Sequence, residues 1–110
     1  MESGREKMRM QTFEFARCME EATRRGYRMF IREEMRNMTH YGVLSGGMSE
    51  WFPFSCYGRT LKWEAIHFTR TLELDGTLRI DFDPMTGRGT IADTNKKVNA
   101  EVRLEIPDTM

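Results

Sequence analysis

The chain has 110 residues, 39% hydrophobic and 31% charged, and its 17 lysines and arginines are matched by 17 aspartates and glutamates. A formal net charge of +0 removes any bulk attraction to nucleic acid or an anionic membrane surface. The length is that of a single domain, 1–110, whose core is small enough that a homodimer is expected.

Residues 1–10 carry no apolar run of the signal-peptide or membrane-span kind, which predicts a cytoplasmic protein. From Arg5 to Arg25 the residues favour helix, and Met8, Phe15, Cys18, Met19 and Ala22 fall on one face at three-and-four spacing. Gly26 interrupts that pattern. Beyond it Tyr27, Phe30, Ile31, Met35 and Met38 repeat the spacing while Arg28, Arg32, Glu33 and Arg36 turn away. This predicts a second helix, and a helical half over residues 5–40. Ser45-Gly46-Gly47 reads as a flexible linker, after which the hydrophobic period changes from helical to alternate-residue.

The second half, residues 51–106, reads as antiparallel sheet. It opens on Trp51 to Gly58, the densest aromatic stretch, which Pro53 assigns to an edge strand or a loop because proline cannot donate to an interior ladder. Leu61, Trp63 and Ala65 share one parity, and Ile66, Phe68, Leu72 and Leu74 the other, so a bulge or break is required near Ala65-Ile66. An odd hairpin loop at Asp75-Gly76-Thr77 would set Leu74 opposite Leu78, Leu72 opposite Ile80 and Glu73 opposite Arg79, giving one buried and one ion-paired face. Asp83 to Gly89 is a second turn, and Thr90-Ile91-Ala92 begins a further strand. The last strand is written plainly, with Val98, Ala100, Val102, Leu104 and Ile106 alternating against polar neighbours up to Pro107. Residues 1–4 and 107–110 read as flexible ends.

The predicted fold class is therefore α+β, with two N-terminal helices packed on one face of a four- to five-stranded antiparallel sheet. This layout, with Trp51 and Gly58-Arg59 early in its sheet half, resembles that of the dynein light chain family. It lacks that family's leading strand and has a longer carboxyl end, and the resemblance brings no site residue with it.

No pattern specifies a catalytic or cofactor site. Asp81 and Asp83 share a strand face at a spacing able to hold a divalent ion, but Met85 stands where a calcium loop needs a ligand and no glutamate closes the run. Cys18 and Cys56 lack a close-spaced cysteine or histidine partner and read as reduced core residues. His40 and His67 would serve a Cys18 or Cys56 nucleophile only if the fold brought them together. Asn37-Met38-Thr39 fits the glycosylation acceptor pattern, which has no use in a cytoplasmic chain.

The features left over are the ten methionines and the aromatic residues Trp51, Phe52, Phe54, Tyr57 and Trp63, which are the candidate partner-binding surface. The expected function is that of a small non-enzymatic protein-binding or adaptor module, homodimeric, acting through that aromatic surface or a sheet edge, with no cofactor. Two alternatives compete with it. One is a divalent-metal-dependent hydrolase using Asp81 and Asp83 with Asp93 or Glu101. The other is a single-strand nucleic-acid module using Arg24, Arg25 and Arg28 with the aromatics.

Overall fold

The computed structural model describes residues 9–34, 47–66, 68–95 and 97–106 and, for the backbone alone, 37–39 and 42–44. Arg9–Met10 form a short strand, β1, and Thr12–Arg24 form α1, the one helix among the described residues. At its start the N–H of Gln11 donates to Glu14 Oε1 at 3.0 Å, satisfying a donor that has no intrahelical acceptor. At its end Gly26 takes a φ of 77°, a conformation that costs glycine nothing. The N–H groups of Gly26 and Tyr27 donate back to the carbonyls of Thr23 and Ala22 at 3.1 and 2.9 Å, the paired bonds of a Schellman turn. Gly26 thus ends the helix, and Phe15, Met19 and Ala22 form its buried face.

The second predicted helix does not exist. Its residues form strands Arg28–Glu33 (β2) and Asn37–Thr39 (β3), answered by Gly42–Leu44 (β4) and Phe52–Tyr57 (β5). Asn37–Thr39 and Gly42–Leu44 pair with each other, and between the pairs Glu34↔Met48 and Ile31↔Phe52 the returning arm has one residue more than the outgoing arm. Such an insertion is a bulge, which increases the local twist. The misreading has a physical cause. Met29 and Ile31 are buried on one face of β2 while Phe30 on the other is half covered, so three adjacent apolar residues hide the alternation.

The remaining strands are Thr60–Glu64 (β6), Thr69–Glu73 (β7), Arg79–Asp83 (β8), Arg88–Asp93 (β9) and Val98–Glu105 (β10). They complete an eight-stranded sheet, not one of four or five, in the order β1-β8-β9-β10-β2-β5-β6-β7, with antiparallel neighbours throughout. One short helix and this sheet replace the predicted pair of helices on a small sheet, and the layout that resembled the dynein light chain family goes with them.

Topology forces the sheet to curl. Strands β7 and β8 lie six positions apart in the order, about 29 Å across a flat sheet at about 4.8 Å per strand. The chain from Glu73 to Arg79 extends at most about 22 Å, so the two ends must bend toward each other. Two observations agree with this. Arg70 on β7 meets Glu33 on β2 at 2.7 Å across the concave side, and α1 packs against β2, β5 and β8 together. The core lies between helix and concave face, where Phe15 and Met19 meet Ile31, Leu61, Ile80, Phe82, Ile91 and Val102, all essentially inaccessible.

Other expectations are settled by the same topology. Pro53 lies in an interior strand, because residues 52 and 53 pair with β2 and residues 54 to 57 with β6, and the proline stands where one ladder hands over to the other. The phase change at Ala65-Ile66 falls in the turn between β6 and β7, closed by the Ala65 N–H donating to Phe68 O at 2.8 Å. The odd hairpin at Asp75-Gly76-Thr77 is absent, since β7 and β8 are not partners. Asp75 Oδ1 instead accepts from the Thr77 N–H and hydroxyl at 2.9 and 2.6 Å, and Leu74 and Leu78 enter the core separately.

Candidate functional site

Strand alternation divides the aromatic stretch. Phe54 and Trp63 point into the core at 7% and 4% exposure, Phe52 is half-buried against it, and Tyr57 stands 74% exposed. Trp51, just before β5, is half-buried with the guanidinium carbons of Arg32 and Arg103 at 4.6 and 4.7 Å from its ring, and Arg103 also lies 4.9 Å from the Phe30 ring. Glu101 holds Arg32 at 2.8 Å and Glu105 holds Arg103 at 3.2 Å. Arg103 Nε has no hydrogen-bond acceptor, and the ring faces beside it supply its electrostatic partner. This cluster is closed within the chain.

The carboxylates do not converge. Asp81 is engaged by Arg79 at 3.4 Å and Arg9 at 3.9 Å, and Asp83 Oδ1 accepts the N–H of Met85 at 2.9 Å in a turn. Asp93, buried at the end of β9, has Oδ2 2.7 Å from the Thr77 hydroxyl, whose one proton it shares with Asp75, and Glu101 is paired with Arg32. No group of three or more His, Cys, Asp or Glu able to hold a metal occurs among the described residues. Two of the three arginines of the nucleic-acid reading are also engaged, since Glu21 binds Arg24 at 3.1 Å and Arg25 at 2.7 Å.

Two open clefts of about 540 and 550 Å³ flank Tyr27, one on the Cys18 side of α1 and one on the Cys56 side. Neither thiol is activated. Burial and then Glu14 raise the Cys18 pKa, and burial and then Glu20 push the Cys56 thiol from 9.0 up to about 11. His40 and His67, the histidines considered for these thiols, lie outside the described residues. Alkylation of Cys56 by iodoacetamide at pH 8 should run about tenfold slower in the folded protein than in urea, because the thiolate is the nucleophile and its loss is only partly offset by the greater nucleophilicity of the more basic thiolate. The sign follows from a folded value above the unfolded one. The contribution of this thiol to stability is whole below pH 9.0 and disappears as pH rises through about 11.

What remains open is the outer edge of β7, which among the described residues pairs only with β6. The Ala65 N–H donates to Phe68 O and the Leu74 N–H to Arg59 O, at 2.8 and 2.7 Å. Antiparallel bonding alternates, so residues 68, 70, 72 and 74 turn their backbone groups to β6. Thr69, Thr71 and Glu73 therefore present N–H and C=O to the free edge. Beside that edge Ile66 and Phe68 stand 68% and 59% exposed. No proline, glycine, lysine or bulge protects β7, and the charge of Arg70 is neutralised by Glu33. Among the described residues the opposite edge of the sheet is the two-residue β1. Sequence patterning missed this site because it paired β7 with β8, a pairing that would have left no edge there.

No family model matches the chain, and neither a curated protein nor a solved structure is similar to it. Among the described residues no helix is long and apolar enough to cross a membrane.

Proposed function

We propose that the chain is a non-enzymatic binding module that captures an extended polypeptide segment at the outer edge of β7. The observation that supports this reading is the edge itself, with three consecutive outward backbone pairs at Thr69, Thr71 and Glu73 and two exposed apolar side chains at one end. An added strand gains its affinity from main-chain bonds and its selectivity from side-chain contacts, which here begin at Ile66 and Phe68. The aromatic residues contribute differently: Phe54 and Trp63 hold the core that fixes the edge, and Trp51 braces the convex face.

Selection from a displayed random-peptide library tests this. Thr71→Pro removes an N–H that points away from β6 and so preserves the fold, whereas Leu72→Pro removes a ladder bond inside the sheet, a loss of about 1–3 kcal/mol. The wild type should enrich extended peptides and Thr71→Pro, folded by circular dichroism, should enrich none. Peptides that bind both proteins equally would place the binding surface elsewhere.

A further inference from the structure

We infer that the occupant of the β7 edge is a second copy of this chain, joined through β7 by a two-fold axis at Thr71. The inference rests on the edge-binding reading above and names its partner. A two-fold antiparallel pairing must match outward-bonding residues with one another, which means odd positions with odd positions. Only a few registers satisfy that condition.

An axis at Arg70 sets that cation against its own symmetry mate and offers two outward pairs within the strand. An axis at Leu72 also offers two. An axis at Thr71 uses all three, Thr71 with the partner's Thr71, Thr69 with the partner's Glu73, and Glu73 with the partner's Thr69, for six backbone bonds. It puts no like charges opposite, it sets Arg70, whose charge its own Glu33 holds at 2.7 Å, beside the partner's Leu72, and it makes a threonine pair of the kind that stabilises sheets.

The flanking residues fit the same register. Carried one residue beyond the strand, it lays exposed Phe68 beside the partner's Leu74. The Phe68 ring that stands in water beside β7 is thereby covered at each end of the joint. The curled sheets of two copies become continuous across it.

Sedimentation equilibrium of the whole chain from about 10 µM to about 1 mM, the range suited to a small edge interface, should show a reversible monomer–dimer equilibrium. Thr71→Pro should weaken it by at least about a hundredfold, through loss of the central bonds. Cysteine substitution reads the register directly. Thr71→Cys sets two thiols on residues about 5.5 Å apart between Cα atoms, within the disulfide range, so mild oxidation should give a dimer cross-linked through position 71 of both copies by mass spectrometry. Thr69→Cys, which faces the partner's Glu73, should not link to itself. A wild-type chain that stays monomeric at about 1 mM, a dimer that survives Thr71→Pro, or equal self-linking of the two cysteine variants overturns the inference. Peptide selection by the monomer separates that failure from failure of the edge-binding reading, because a monomer that still enriches peptides sensitive to Thr71→Pro keeps the edge and loses only the self-partner.

Discussion

Replacing Gly89 by alanine should destabilise the protein more than any other single added methyl. A Cβ at Gly89 would meet Asp81 O at 2.4 Å, Phe82 Cα at 2.7 Å and Phe82 Cδ1 at 2.8 Å. Two of these are backbone atoms of β8, the strand to which Gly89 is paired through Phe82, so no rotamer change relieves the contact. The strands must separate or the ring of Phe82 must leave its seat. Overpacking of a core costs about 1–3 kcal/mol, and a clash with backbone belongs at the upper end, about 3 kcal/mol or more. Since small domains are stable by about 5–15 kcal/mol, urea denaturation should show the midpoint falling sharply. Gly76→Ala, where nothing lies within 4 Å, should leave the midpoint nearly unchanged. Equal midpoints for the two variants would refute the close approach of β8 and β9.

Phe15→Ala should have an effect at least as large, about 3–5 kcal/mol. Phe15 is the inaccessible anchor of α1, and its ring meets that of Phe82 edge-to-face with centroids 5.3 Å apart. Truncation removes the aromatic pair and leaves a cavity under a helix of only 13 residues, which cannot be stable without its tertiary contacts. Phe13, two residues away and 47% exposed, is the internal control and should cost within about 0.5 kcal/mol. Because Gly89 seats Phe82 and Phe82 contacts Phe15, the two substitutions share a partner and their effects should not add. A double variant whose loss equals the sum of the single losses would show the three residues to be independent.

Both experiments probe the contact that makes the curled sheet and its helix a single body. The proposed binding edge depends on the same sheet order, since among the described residues β7 is free because that order carries it to the far end from β8. A chain in which Asp75-Gly76-Thr77 closed the hairpin that alternation suggests would pair β7 with β8 and have no edge at Thr71 to offer. The proposed activity is therefore a property of the topology more than of any side-chain motif.

Local chemistry alone determined a good deal of this protein. The stripe at Phe15, Met19 and Ala22 made a helix, Gly26 stopped it, and the parity of Ala100, Val102 and Leu104 made the last strand with its buried face. Each is set by neighbours a few residues away, through helical spacing, a left-handed glycine or side-chain alternation. Tertiary structure decided the rest. Arg28–Glu33 became a strand because its apolar residues are covered on both faces, and Pro53 became interior because its two ladders lie on either side of it. The partners of β7 and β8 were decided by the curl of the whole sheet. Alternation states which face of a strand is buried and is silent on which strand lies beside it, since pairing depends on contacts between residues far apart in the chain.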